Sequence, residues 1–324
     1  MAPDLSNILA GRLTLVQLVV ADLVASHICK QSSTPVQVNI SAQSSTPFSF
    51  IDAPPLPATP SLATCSAYAC VLAELEPKPS YTEDTFEVIG CEVASANAWP
   101  WQVSLQYKSG GTFYHTCGGT LVRKGWVMTA AHCVHSSRTW QVVLGDHDLY
   151  SHSGREQFKK VSRVIIHPRW NPIDVYNGYD IALLQLDSEA TLNSYVQLAT
   201  LPPSGQILPN NYPCYQTGWS RLSPGGSLNS KLMQAFLLLV DHQTCTRPDW
   251  WGSNVKATMV CAGGPVDCKC ANDSGAPLTC QVNGQYYAYG ISCLMPFSSC
   301  NILTKPRLFT RVSAYIQWMD SIMN

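Results

Sequence analysis

Charge is scarce in this sequence. Asp, Glu, Lys and Arg make up only 13% of its 324 residues, and they nearly cancel, leaving a formal −1. Without a basic excess there is no electrostatic footprint for phosphate backbones or anionic lipid, so nucleic acid is not an expected partner. Long apolar runs are also missing. The stretch from Leu13 to Ala25 is interrupted by Asp22, and it falls short of the roughly eighteen residues a bilayer-spanning helix needs, so no membrane anchor is expected. Paired metal motifs are lacking as well. The CxC of Cys268 and Cys270 has no HxxxH partner, which argues against a structural zinc site.

What is present is cysteine, fourteen of them, together with 46% apolar and 10% aromatic residues. That composition folds. So many cysteines outside metal motifs point to disulfides and an oxidising compartment, hence export. The apolar stretch, with cleavage after Ser26, is a weak secretory signal at best. Charge is uneven along the chain: residues 1–87 hold three basic and eight acidic groups, and residues 88–324 hold seventeen and thirteen. The first segment is rich in Ser, Thr, Pro and Ala without helical or strand period, so it reads as a disordered leader. Asn39 opens an N-I-S glycosylation triplet, which matters only on a secreted chain.

From Val88 the texture changes to short apolar, β-branched and aromatic runs between Gly, Asn and Pro turns. They include 101–107, 125–131, 140–145, 161–167, 180–186, 212–219, 234–240, 285–292 and 307–312. This spacing predicts an all-β protein. Residues 312–324 instead place Val312, Ile316, Met319 and Met323 on one helical face, a terminal helix.

Three motifs carry chemistry. TAAHC holds His132, GYDIALL holds Asp180, and CANDSGAPL holds Ser274. A serine hydroxyl is a poor nucleophile until an imidazole takes its proton, and a buried carboxylate must fix that imidazole's tautomer. Each motif alone has a plain structural reading; the three together do not.

Together with VIG (88–90), NAWPWQVSLQY (97–107), YHTCGGTL (114–121), NNYPCYQTGW (210–219) and KPRLFTRVSAYIQW (305–318), these motifs make residues 88–324 resemble the chymotrypsin-like serine proteases of pancreatic elastase type. The resemblance implies two packed antiparallel six-stranded β-barrels with the catalytic cleft between them. It also implies a polypeptide substrate, a serpin or other protease inhibitor as a further partner, a monomer, and chemistry that needs no cofactor. The disulfides it implies are Cys117–Cys133, Cys214–Cys280, Cys245–Cys261 and Cys270–Cys300. Cys29, Cys65, Cys70, Cys91, Cys268 and Cys293 are left without assigned pairs.

The resemblance further implies activation by cleavage, which frees an α-amine at Val88 to pair with Asp273 and so form the oxyanion hole. Residue 87 is Glu where trypsin-activated relatives carry Arg or Lys, so release of Val88 is expected only from an acid-directed or unrelated protease. The oxyanion donors fall on the N–H groups of Asn272 and Ser274, with Asn272 replacing a glycine; Ala276 and Ser220 replace glycines nearby. The specificity pocket falls on Cys268, Lys269, Met295 and Arg307. Met295 points to small aliphatic residues, whereas Lys269 or Arg307 turned inward favours acidic residues or plugs the pocket. Cys293 replaces the serine that supports the buried aspartate. A calcium loop is a weaker implication, resting on Asp146 and Glu156, with Ser153 in place of an expected acid. These departures leave a second expectation standing: an inactive homologue that acts as a binding or regulatory protein.

Overall fold

The structure, a computed structural model, describes residues 91–219, 228–263, 273–293 and 306–324. The leader 1–87 and site positions Val88, Cys268, Lys269, Cys270, Asn272, Met295 and Cys300 lie outside these residues.

Thirteen strands are present among the described residues: β1 (Glu92–Val93), β2 (Gln102–Ser109), β3 (Thr112–Arg123), β4 (Trp126–Thr129), β5 (Trp140–Leu144), β6 (Gln157–Ile166), β7 (Ala182–Leu186), β8 (Pro213–Gly218), β9 (Met233–Val240), β10 (Met259–Ala262), β11 (Pro277–Val282), β12 (Gln285–Ser292) and β13 (Arg307–Arg311). The first barrel closes in the order β2-β3-β4-β7-β6-β5. In the second, β9 pairs with both β8 and β10, closing β8-β9-β10-β13-β12-β11 into six strands, with short β1 added along β9. The named strands pair antiparallel throughout, and the pleat of each strand alternates its side chains between barrel interior and outside. The alternation is visible in β9, whose Ala235, Leu237 and Leu239 are buried while Leu238 is exposed.

Short helices complete the fold: α1 (Ala131–Val134), α2 (His242–Cys245) and α3 (Ile316–Met323). The terminal helix is shorter than its apolar period predicts, because residues 312–314 form a tighter 3₁₀ turn before it. Val312 and Met319 are buried and Met323 packs beside them in one apolar cluster with the first barrel. A second cluster, built on Leu237, Leu239, Leu278, Tyr289 and Phe309, fills the second barrel. No helix of the described residues is long and apolar enough to cross a membrane.

Candidate active site

His132 sits in α1, directly after β4 has delivered the chain from the first barrel. Disulfide Cys117–Cys133 ties that helix back to β3. Asp180 comes from the segment before β7, where Tyr179 takes φ of 62°, an uncommon conformation for a bulky residue, and is held by its N–H donating to the Tyr315 hydroxyl at 3.2 Å. Strain of this kind persists only where the surroundings enforce it, and here it aims one carboxylate.

That carboxylate is 3% exposed and meets His132 twice. The His132 backbone N–H donates to Oδ1 at 2.9 Å, and Nδ1 lies 2.7 Å from Oδ2. With a carboxylate oxygen as acceptor, the proton belongs on Nδ1, which leaves the Nε2 lone pair free to accept another. From the opposite side the Thr310 hydroxyl donates to the Asp180 carbonyl at 2.9 Å and lies 3.2 Å from Cys293 Sγ. Burial, then the charge of Asp180, pushes the Cys293 thiol up, so it stays protonated.

The Ser274 turn spans the two barrels. The Ser274 carbonyl accepts from Gly118 N–H of β3 at 2.8 Å, and Gly275 N–H donates to the Ser292 carbonyl of β12 at 2.8 Å. Gly275 has φ of 79°, and a side chain there would collide with the Thr129 hydroxyl and the Gly118 carbonyl, beside the strand that leads into α1. A methyl on Gly118 would likewise run into Ala276. The missing side chain at 118 is therefore needed whatever residue stands at 276, because the backbone of Ala276 is itself among the atoms it would meet.

Asp273, 4% exposed, has partners that sequence reasoning did not identify. Its Oδ2 accepts from Trp219 N–H at 3.0 Å, and its Oδ1 lies 3.4 Å from His115 Nε2. His115 Nδ1 in turn meets Ser104 Oγ at 2.9 Å. The signal was faint: His115 is one polar residue in the alternating first half of β3.

Arg307 points inward. It is 7% exposed, and its Nη1 donates to Gln216 Oε1 at 2.5 Å, while Gln216 Nε2 donates to Ser292 Oγ at 3.2 Å. Three of the four disulfides implied by resemblance are formed, Cys117–Cys133, Cys214–Cys280 and Cys245–Cys261.

In the turn between β5 and β6, Asp146 and Glu156 come together, joined by His152, which the sequence did not single out.

Comparison with known proteins agrees with this layout. The trypsin family model matches residues 88–319. The chain belongs to the trypsin family. Chymotrypsin-like elastase family member 1 of Bos taurus is 54% identical over 242 residues, 74% of this chain and 91% of that protein. The rat protein of the same name is 53% identical over 244 residues, 75% and 92% of the respective chains, and the human one 51% over 242 residues, 74% and 94%. This is a serine endopeptidase of the pancreatic elastase type, a hydrolase whose family takes polypeptide substrates and generally needs no cofactor.

Proposed function

We propose that the protein is a secreted elastase-type endopeptidase that cleaves peptide bonds through an acyl-enzyme on Ser274. His132 Nε2 takes the Ser274 proton as Oγ attacks the scissile carbonyl, and returns it to the departing amine. Asp180 holds the tautomer and stabilises the imidazolium. The N–H groups of Asn272 and Ser274 receive the developing oxyanion, a contribution of about 2.7–4 kcal/mol per donor. Water then attacks the ester with His132 again as base, releasing the acid and regenerating Ser274. The observation that carries this reading is the double contact between His132 and Asp180, which commits Nδ1 and leaves Nε2 available. The protein acts as a monomer, and inhibitors of the serpin kind would engage the same cleft.

Asp273 motivates the second reading. With one oxygen on Trp219 N–H and the other facing His115, the carboxylate already has partners on the barrels, and a new ammonium at Val88 must compete with them. A chain never cut after Glu87 would then be the inactive binding homologue. Arg307 bears on substrate choice: a guanidinium buried against Gln216 supports acidic residues before the scissile bond, or a closed pocket.

A fluorophosphonate probe tests the proposal on the intact chain and after treatment with a glutamyl-directed protease. We expect strong labelling only after the cut, and none in Ser274→Ala. No labelling in any state, with amino-terminal sequencing confirming the cut at Val88, would establish the inactive homologue.

A further inference from the structure

The turn that joins β5 to β6 carries a buried acid with no hydrogen-bond partner among the described residues. Asp146 is 6% exposed, its side chain 0%, and neither carboxylate oxygen receives a hydrogen bond among the described residues. A buried carboxylate in that state is costly, and natural structures rarely leave one unexplained. Burial raises its pKa to about 6, so at neutral pH the group is still charged. Facing it are two further donors, His152 and Glu156, and one atom from each of the three lies within 4.8 Å of the others. His152 Nδ1 is 3.9 Å from Asp146 Oδ1, too far for a hydrogen bond, and the imidazole is steadied edge-on against Phe158 at 5.3 Å between ring centres.

Calcium, which the family resemblance brings to this loop, does not fit these residues. Ca²⁺ takes six to eight oxygen ligands. Here one of the three convergent donors is the His152 nitrogen, and that is what weighs against Ca²⁺; the hydrogen bonds of Glu156 within its own loop face any ion alike. Its Oε1 accepts from Ser153 N–H at 2.7 Å and Ser153 Oγ at 2.9 Å, and its Oε2 accepts from Gly154 N–H at 2.9 Å and Arg155 N–H at 3.0 Å. Ser153, standing where an acid is expected, spends its hydroxyl on Glu156 rather than adding charge.

We propose that Asp146, His152 and Glu156 form a binding site for a borderline divalent transition ion of the Zn²⁺ kind, with water as the fourth ligand. One imidazole and two carboxylates is a donor set that such ions prefer and Ca²⁺ does not. Tetrahedral arms of about 2.0–2.1 Å place neighbouring donors roughly 3.3 Å apart, so the Asp146–His152 gap needs to shrink by only about half an ångström. The Ser153 hydroxyl is the contact that yields most easily, since rotation about one bond frees an Oε1 lone pair while the three backbone donors stay in place. The ion neutralises the orphan carboxylate and pins the end of β5 to the start of β6. Its role is structural: it stabilises the folded state in proportion to its concentration.

Metal-stripped full-length protein at pH 7.5 is titrated with Zn²⁺ by calorimetry and with Co²⁺ by visible absorption. Ca²⁺ is titrated in parallel, and thermal melting is followed with each ion. The expected result is one Zn²⁺ per chain, bound at least about tenfold more tightly than Ca²⁺, Co²⁺ bands typical of nitrogen–oxygen coordination, and a rise in melting temperature. His152→Asn, at a half-exposed side chain that the fold does not need, weakens Zn²⁺ by at least about tenfold, since even outer-shell changes cost that much. Asp146→Asn does the same. His132→Ala, which removes the other accessible imidazole beside a sulfur, leaves Zn²⁺ binding unchanged. Ca²⁺ binding as tight as Zn²⁺, no stoichiometric Zn²⁺, or Zn²⁺ binding indifferent to His152→Asn would each overturn the proposal.

Discussion

Asp180 is approached from two barrels, and the two contacts serve different ends. His132 takes the carboxylate from the first barrel, while Thr310 of β13 holds the backbone carbonyl from the second. Thr310 is 1% exposed, so its hydroxyl has no water to fall back on. Thr310→Val keeps the shape and removes the donor. It is expected to cost about 1–3 kcal/mol of stability, read from denaturant midpoints, and to lower kcat more than it raises KM because the acid that orients His132 is loosened. A purely structural threonine would change the midpoint and leave kcat alone. Cys293 cannot take over the task, since its thiol is a weak donor and is already 3.2 Å from the same hydroxyl.

At the level of elements, much of the fold was legible because the strands announce themselves in alternating or continuous apolar runs. Every run singled out from 101–107 to 307–312 overlaps a strand. β1, β3, β10 and β11 lie outside those runs, and two of them border the Ser274 turn. β3 carries a glycine at 118 where the serine turn lies against it, and β11 begins on Pro277 immediately after that turn. The pairing of His132 with Asp180 was expected from their motifs, but Asp273's partners and His152 were not, because single polar residues on strands and turns become neighbours only through closure of the barrels. Disulfides act at this scale too, and their loops differ: Cys214–Cys280 joins paired positions on β8 and β11 at a sequence separation of 66, and Cys117–Cys133 at a separation of 16. Chain entropy predicts losses of about 4 and about 3 kcal/mol for the paired alanine variants. The separating readout is chemical. The 214/280 pair should keep its rate of fluorophosphonate labelling in the cut protein while unfolding at lower denaturant. The 117/133 pair, which anchors the helix that holds His132, should lose labelling rate as well. Equal labelling in both would show that α1 is positioned without its disulfide.

Across the whole molecule, the carboxyl-terminal segment returns to the first barrel and closes over the approach to Asp180. His167, at the end of β6, is the point where these parts meet. Its ring stacks on Tyr179 at 5.0 Å and contacts Tyr315 at 5.4 Å and Trp318 at 4.9 Å, while its Nδ1 accepts the Arg169 N–H at 3.2 Å. The charged and titratable groups around the ring are thus Arg169, whose guanidinium lies over Tyr179 at 4.2 Å, and the two tyrosines. Burial first, and Arg169 second, lower the pKa of His167 below its ordinary 6.5. The sign follows directly: below pH 6.5 the unfolded chain takes a proton at this ring that the folded chain refuses, so stability contributed by neutral His167 is complete above 6.5 and is lost as pH falls toward the folded pKa. One such group gives a slope of at most about 1.4 kcal/mol per pH unit. Asp146 works in the opposite direction, since its raised pKa lets the folded state gain protons as pH falls through 6. The raw stability curve therefore mixes both, and the informative quantity is the difference between the wild type and His167→Phe. That difference should be constant above pH 6.5 and should shift in favour of the variant on acidification. A difference that stays flat from pH 7.5 to 5 would mean that the ring takes up its proton within the aromatic cluster, and that the clasp between the terminal helix and the Asp180 loop tolerates a buried charge.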